Sequence, residues 1–286
     1  MKSRNQFAFH LFLTILACLM AVPLLADTQG KGQGTLDPAE PKGITPQQII
    51  DRFAAKEKQF KLAREQYTYH QSIKVQTLDG DTVTGEFRLE EDILFDDKGH
   101  RLQQVVFAPQ STLENGGISM SREDIDDFEH RLPFVLTSDE IGEYSILYVG
   151  QQQEDELQTY VFDIAPKQIE KNKRYFQGRI WVDNQDFQIV KTEGKTVPDI
   201  RKKSSENLFP KFTTYRQQVD GQYWFPAYTS ADDILHFKTG AVQDVHIREI
   251  LKYTNYKRFG SSVKITYEGQ EVQKAAPQGD QQPPKK

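Results

Sequence analysis

Two neighbouring aspartates and a nearby histidine come closest, in residue type and spacing, to a catalytic set. Asp232 and Asp233 are followed by His236, and His246 lies ten residues further along the chain. Carboxylates and imidazoles bind metal ions and exchange protons near neutral pH, so a hydrolase that uses Asp232, Asp233 and His236 is one hypothesis. Two features favour an ordinary surface instead. The aspartates fall where the chain is expected to turn, and His236 alternates with apolar neighbours in a predicted strand.

Other charged clusters are explained more simply than by ligand binding. The acids between Glu123 and Glu129 lack the glycine and the ligand spacing of a calcium-binding loop, which favours the solvated face of a short helix. Arg201–Lys203 is favoured as a solvated loop over an anion site, and its role stays open. The sequences of a nucleophile elbow, a zinc protease helix and a P-loop are absent. We therefore predict that the protein is not an enzyme and binds neither a metal nor a cofactor.

The charge and the aromatic content favour an apolar ligand. The formal net charge is −5, which argues against a nucleic-acid-binding protein because such proteins are normally basic. The chain contains 12 Tyr, 18 Phe and 2 Trp, and most of these rings fall on predicted strands, where core packing accounts for the majority. The alternative for the remainder is an apolar cavity between a sheet and helices, the usual place for a ligand site.

The first 26 residues have the composition of an export signal. Lys2 and Arg4 form a basic start, an apolar run follows, and Ala26 provides a cleavage site. The alternatives are a retained membrane anchor and lipidation at Cys18, which is the only cysteine in the chain. Cleavage after Ala26 leaves a mature protein without cysteine. These features predict an exported protein, with the periplasm as its compartment.

A flexible lead and one amphipathic helix are predicted after the export signal. Residues 27–43 are rich in Gly, Gln and Pro and lack an apolar pattern, which predicts a flexible linker. Thr45 and Gln48 form a capping-box sequence around Pro46, a residue type that suits the first helical position. Apolar residues then recur at helical spacing to about Arg64. The pattern predicts a helix of about five turns that lies on a sheet.

From Tyr67 onward the apolar period changes to two, which predicts strands joined by short turns. Pro226 is expected to end a strand or to place it at an edge. Residues 44–267 are predicted to form one domain, and the polar, Pro-rich residues 268–286 a disordered tail. Short helices are predicted at 121–131 and after Ser138, with an apolar plug at 133–136. The predicted strands are 67–76, 83–95, 102–107, 144–149, 157–164, 175–182, 187–191, 212–219, 223–225, 234–237, 245–256 and 263–267.

The order of the elements places the chain in the α+β class. The predicted strands follow one another with few helices between them, which is typical of an antiparallel sheet with helices on one side. A sheet of this length tends to curl and to acquire a concave face. We therefore predict a long curved antiparallel sheet, with the N-terminal helix and the short helices covering its concave face.

The hairpin at 174–191 raises the question of what covers its second face. Phe176, Ile180 and Val182 alternate with Tyr175 and Trp181, so both faces of the first strand have large apolar side chains. The N-terminal helix and the apolar plug account for one face. The other face is expected to pack at a seam of the sheet or to remain half exposed.

Five short motifs occur along the chain, at Tyr160–Asp163, Gly178–Asp183, Ile189–Lys191, Asn207–Pro210 and Tyr253–Tyr256. Together with the exported leader, the N-terminal helix and the long meander of strands, they resemble the LolA-like superfamily, which comprises outer-membrane lipoprotein-sorting proteins and their relatives. The resemblance covers roughly residues 44–267.

The resemblance implies an unclosed β-barrel that is lidded by helices and holds acyl chains in an apolar cavity. It also implies a monomeric periplasmic carrier of a lipid or a lipoprotein acyl chain, with transient contact to membrane-bound partner proteins. The alternative is an envelope-stress regulator that binds a membrane-anchored partner. The residues expected to bind lipid are Phe53, Tyr69, Ile73, Val75, Phe87, Leu89, Phe134, Phe176, Ile180 and Val182.

One departure separates this chain from the sorting proteins. In those carriers the second strand leads into an Arg-Pro pair whose arginine serves cargo handling. The matching run here begins at Gly85 and has Glu91-Asp92 in place of that pair. Arg88 lies nearby but in a different register, so the role of the arginine is not transferred to any residue. The resemblance therefore supports a shared fold without a shared mechanism of lipoprotein transfer.

Overall fold

The computed structural model describes residues 32–96, 98, 100–121, 124–125, 128, 135–171, 173–202, 205–238, 244–259, 266–267 and 270–271. Its continuously described helices are α1 (Pro46–Arg64) and the two short 3₁₀ helices Leu113–Gly116 and Ile141–Glu143, and Asp124, Ile125 and Phe128 are also helical. The strands are β1 (Tyr67–Asp79), β2 (Thr82–Phe95), β3 (Arg101–Phe107), β4 (Tyr144–Glu154), β5 (Leu157–Pro166), β6 (Tyr175–Asp183), β7 (Ile189–Val197), β8 (Ile200–Lys202), β9 (Ser205–Asn207), β10 (Phe212–Val219), β11 (Tyr223–His236), β12 (Asp244–Arg258), β13 (Thr266–Tyr267) and β14 (Gln270–Glu271).

Ten of these strands form one antiparallel sheet in the order β3-β2-β1-β12-β11-β10-β7-β6-β5-β4. Within the described residues the edge strands β3 and β4 do not pair with each other, so the barrel is open. The sheet is strongly curled, and this curl brings Arg101 on β3 and Tyr144 on β4, at opposite edges of the sheet, to the same pocket. The predicted α+β class and unclosed curved sheet are confirmed. The prediction that residues 263–267 complete this sheet was wrong for Thr266–Tyr267, which pairs with β14 in a separate hairpin.

Directly paired residues define a buried concave face, because residues in register on antiparallel strands share one side of the sheet. Helix α1 lies on this face, and the Phe53 ring packs edge-on against the Phe162 ring at 5.7 Å. The 3₁₀ helix Leu113–Gly116 adds the buried Leu113 to the same cluster. One fully buried row crosses the sheet from β2 to β5 and consists of Leu89, Ile73, Leu251, Thr229, Thr214, Thr192, Ile180 and Phe162.

Helix α1 begins as the sequence predicts. The Thr45 hydroxyl accepts the backbone N–H of Gln48 at 3.2 Å, and the Gln48 side chain accepts the backbone N–H of Thr45 at 2.9 Å. Two N–H groups at the start of the helix, which have no partner within it, are satisfied in this way. The capping-box prediction is confirmed, and α1 ends at Arg64.

A buried ion pair joins α1 to the sheet. The guanidinium of Arg216 on β10 donates to both carboxylate oxygens of Glu57, at 2.8 Å and 3.2 Å, and each side chain is 1% exposed. The same guanidinium lies 5.0 Å from the centre of the Phe60 ring. Burial raises the pKa of the Glu57 carboxyl, and the positive charge of Arg216 opposes that rise. The pair therefore fixes the position of α1 across the concave face.

The convex face of the β6–β7 hairpin is also covered. Trp181, Val161 and Val190 form a buried cluster against which Leu36 and Trp224 pack. The indole N–H of Trp181 is satisfied as well, by the side-chain oxygen of Gln152 at 2.8 Å. Around Trp181 the second face of the hairpin is thus covered by an N-terminal segment and by a side chain from β11, while Gln177 on the same face is exposed. Neither a seam of the sheet nor half exposure describes the part of the face around Trp181.

That N-terminal segment, residues 32–40, is called the strap. Its backbone donates from Gly34 to Gln153 and from Asp37 to Gln151, both at 2.8 Å, and so covers part of the outer edge of β4. The flexible linker predicted at 27–43 is corrected for these residues. The strap was missed because it is held by backbone hydrogen bonds and one apolar side chain, which leave no periodic pattern in the sequence.

Strand β11 continues where the sequence predicts a break and a turn. Pro226 lies at a bulge in the pairing of β10 with β11, and the pairing of β11 with β12 begins only at Tyr228. Proline has no backbone N–H to donate, and at this position the sheet loses no hydrogen bond for that reason. Asp232 and Asp233 lie within the same strand and pair with β12. The short helix predicted at 121–131 lies largely outside the described residues.

Candidate functional site

A pocket of about 770 Å³ opens at one end of the curled sheet, beside the last turn of α1. We call it the mouth. Its volume lies in the range of small-molecule sites. The residues that line it come from the end of α1, from β2, β3, β4, β6 and β7, from the segment around the 3₁₀ helix Ile141–Glu143 and from the connection between β5 and β6. They are Lys61, Arg64, Glu65, Phe95, Arg101, Val135, Glu140, Glu143, Tyr144, Lys173, Arg174, Tyr175, Phe176 and Thr196.

The mouth has an excess of positive charge, with five cationic and three acidic side chains, although the whole chain has a formal net charge of −5. Lys61 and Lys173 each lie within 3.3 Å of a glutamate oxygen. Arg101 forms no ion pair with a described carboxylate. Its guanidinium donates instead to the hydroxyl of Tyr69 at 2.8 Å. Arg101 therefore holds a positive charge at the entrance that a described acid does not neutralise.

Tyrosines form the next layer beneath the mouth. The Tyr69 ring lies 5.3 Å from the Tyr256 ring and 6.3 Å from the Tyr253 ring. The Tyr256 hydroxyl donates to the carbonyl of Pro226 at 2.8 Å, and burial raises the pKa of Tyr256. Burial also raises the pKa of Tyr253. Tyr253 and Tyr256 therefore add aromatic surface without charge at physiological pH.

Alternate residues of β1 then lead away from the mouth in steps of roughly 7 Å. Gln71 follows Tyr69 on the concave face, and Ile73 and Val75 follow Gln71. Going inward, the surface changes from cationic to aromatic, then to polar, and then to apolar, with the Glu249 carboxyl in the innermost row. With their direct partners on β2 and β12, the three inner rows are Glu91–Gln71–Tyr253, Leu89–Ile73–Leu251 and Phe87–Val75–Glu249.

The structure brings together nine of the ten residues predicted to bind lipid. They belong to the main hydrophobic cluster under α1 or pack against it. Phe87 is partly buried, and Phe176 also lines the mouth. Phe134 lies outside the described residues. That these side chains contact a lipid stays a prediction. The nine are Phe53, Tyr69, Ile73, Val75, Phe87, Leu89, Phe176, Ile180 and Val182.

The alternative catalytic set is not assembled. Asp232 pairs with His246 at 2.5 Å, whereas His236 pairs with Asp244 at 2.8 Å. Asp233 is the next residue on β11, so its side chain leaves the strand on the opposite face from that of Asp232. In the described part of the chain, no group of three or more His, Cys, Asp or Glu side chains converges as metal ligands. These residues are surface pairs between neighbouring strands.

Two polar residues of the concave face were missed from the sequence. Gln71 and Glu249 are buried among apolar neighbours on β1 and β12. Burial, with a smaller contribution from Asp124, raises the pKa of Glu249 to about 8. The sequence could have revealed both residues, because each is a polar residue at a position where the alternating pattern of its strand calls for an apolar one.

Comparison with known proteins finds no matching family model and no matching curated sequence. Solved structures do match. A LolA superfamily protein from Nitrosomonas europaea has 14% identity, with 75% of this chain and 94% of that chain covered and a TM-score of 0.32. A DUF1329 family protein from Desulfovibrio piger has 13% identity, coverage of 75% and 96%, and a TM-score of 0.34. A putative outer membrane lipoprotein-sorting protein domain from Vibrio parahaemolyticus has 13% identity, coverage of 73% and 93%, and a TM-score of 0.33. Each of these matches is a likeness of fold at low sequence identity.

Proposed function

We propose that the protein is a periplasmic, non-enzymatic binding protein that takes up the acyl chain of a lipid or a lipoprotein through the mouth. The observation that carries the proposal is the order of surfaces beneath the mouth. A cationic entrance is followed by aromatic, polar and apolar rows on one continuous concave face. This order matches an amphiphile with an anionic head and an apolar tail.

Both ends of such a ligand find a favourable surface. At the entrance, Arg101 supplies a charge-assisted hydrogen bond to an anionic head. Further in, each methylene that leaves water contributes about 0.8 kcal/mol. Phe176 and Tyr69 lie between these regions and provide flat apolar walls. Entry of the tail requires α1 to shift away from the sheet, because the inner rows are closely packed.

Export to the periplasm is proposed from residues 1–26, which lie outside the described residues. In the part of the chain that the structure describes, no helix is long and apolar enough to span a bilayer. The intact mass of the protein purified from cells distinguishes cleavage after Ala26 from lipidation at Cys18 and from retention of the whole segment. A mass that retains residues 1–26 would contradict cleavage.

Arg101→Ala is expected to weaken the binding of a fluorescent fatty-acid probe by at least about tenfold, since a lost charge-assisted hydrogen bond costs about 1.5–3 kcal/mol. Binding of the neutral alcohol with the same chain is expected to change little. Fluorescence titration of the mature protein measures both affinities. Arg88→Ala is the matched control, because Arg88 lies on the convex face of the neighbouring strand, over the Phe107 ring.

Native mass spectrometry of the mature protein provides the direct test of acyl binding. A protein that is purified without lipid and takes up neither the fatty acid nor the alcohol would refute the proposed function. Equal loss of fatty-acid binding in Arg88→Ala and Arg101→Ala would refute the role of the mouth in placing the head.

Strand β3 favours a second candidate, a regulator that binds a membrane-anchored partner. All seven of its residues are exposed, and the apolar ones are Leu102, Val105, Val106 and Phe107. An exposed apolar edge strand offers its free backbone groups to a strand of another chain. Val105→Lys is expected to abolish the recovery of an inner-membrane protein in a pull-down and to leave acyl binding unchanged. Unchanged recovery would contradict this candidate.

A further inference from the structure

Gln71 is a buried amide in the middle of the concave face. Its side chain is 0% exposed, and neither the amide nitrogen nor the amide oxygen has a hydrogen-bond partner among the described residues. Glu91 and Tyr253 lie directly opposite on β2 and β12, yet neither side chain bonds to it. Buried polar atoms are nearly always paired, and leaving both ends of an amide unpaired destabilises a fold.

The same face satisfies other polar groups in its own interior. The hydroxyls of Thr214 and Thr229, in the next row of the sheet, hydrogen-bond to each other at 2.8 Å. Thr192 Oγ1 and the Tyr253 hydroxyl on this face also lack a partner among the described residues, but each leaves one polar atom unpaired. Gln71 leaves two, an unused donor and an unused acceptor, beside the apolar row of Ile73 and Leu251.

The position of Gln71 relates it to the mouth. It lies one inward step, roughly 7 Å, beyond Tyr69, and Ile73 begins the apolar rows one step further in. For an amphiphile with its head at Arg101 and its tail against Ile73, this is the level of the bond that joins the head to the chain.

We propose that Gln71 recognises an amide linkage between the polar head and the acyl chain of the ligand. Its Nε2 donates to the carbonyl oxygen of the linkage, and its Oε1 accepts the linkage N–H. An ester has the carbonyl but lacks the N–H, so it leaves Oε1 buried and unpaired. Sites built around such a hydrogen bond discriminate against analogues that lack the donor. This inference rests on the proposed function and specifies the class of ligand.

The test compares two probes that differ in one atom group. N-palmitoylglycine and the palmitoyl ester of glycolate have the same chain and the same carboxylate, joined by an amide or by an ester. The wild-type mature protein is expected to bind the amide at least tenfold more tightly in isothermal titration calorimetry. Gln71→Met is expected to bind both probes with equal affinity. Gln76→Met is the matched control, because Gln76 lies on the convex face of the same strand, and it is expected to keep the preference.

A second readout does not depend on ligand. Gln71→Met is expected to raise the melting temperature of the ligand-free protein, because it replaces an unpaired buried amide by an apolar side chain of similar length. A lower melting temperature would show that the amide serves the fold, and it would overturn the proposal. Equal binding of the two probes by the wild-type protein would also overturn it while leaving acyl binding intact. Binding of neither probe would refute the proposed function itself.

Discussion

Replacement of Arg216 by methionine is expected to lower the free energy of unfolding by about 3–5 kcal/mol, because it leaves Glu57 buried without its partner. The two groups share hydrogen bonds of 2.8 Å and 3.2 Å under α1, and each side chain is 1% exposed. Solvent therefore does not screen the pair or compensate for its loss. Urea unfolding at pH 7, followed by tryptophan fluorescence, measures the change.

Two further variants separate the buried charge from the packing. The double variant Glu57→Leu with Arg216→Met is expected to recover most of the stability, since it removes both charges and leaves two apolar side chains in contact. Asp139→Asn is the control, because it removes an exposed ion pair with Lys58 on the same helix, and it is expected to cost less than about 1 kcal/mol. A similar small cost for Arg216→Met would contradict the anchoring role of the pair.

The elements that could be predicted from the sequence depend on local interactions. Helix α1 has its start signal within four residues, at Thr45 and Gln48. The β1–β2 and β10–β11 hairpins turn at Asp79-Gly80 and Asp220-Gly221, and Gly80, Asp220 and Gly221 adopt positive φ. Such turns require residues that tolerate this region of backbone conformation. The pairing of β1 with β12, by contrast, joins strands almost 180 residues apart and does not follow from any turn.

The features that could not be predicted depend on partners that are distant in the chain. Pro226 continues a strand because of a bulge opposite Arg216, and that bulge has no signal in the sequence. The pairing of Asp232 with His246 follows from the register of β11 against β12. Likewise, the strap is placed only by its hydrogen bonds to β4. Gln71 is visible in the sequence as a polar residue at an apolar position, but its lack of a partner is seen only in the structure. The candidate site was therefore predicted as a set of apolar residues, while its charged entrance and its polar row were not.

Glu249 makes the stability of the protein depend on pH in an unusual direction. Its carboxyl is buried between Val75 and Ala231, and burial, reinforced by the negative charge of Asp124, raises its pKa from 4.5 to about 8. The unfolded chain loses this proton near pH 4.5, whereas the folded chain keeps it to about pH 8. Between these values the folded state binds more protons, so the free energy of unfolding falls as the pH rises.

The expected loss is about 3 kcal/mol between pH 5 and pH 7.5, since each unit of pKa difference corresponds to about 1.36 kcal/mol. Glu249→Gln has no proton to lose, so it is expected to match the wild type near pH 5 and to exceed it by about 3 kcal/mol at pH 7.5. Urea unfolding of both proteins across this range measures the difference. Glu156→Gln, at an exposed turn, is the control and is expected to follow the wild-type curve. If the curves of Glu249→Gln and the wild type are parallel, Glu249 is already charged in the folded protein, and the deep end of the concave face is not the neutral surface that an acyl chain requires.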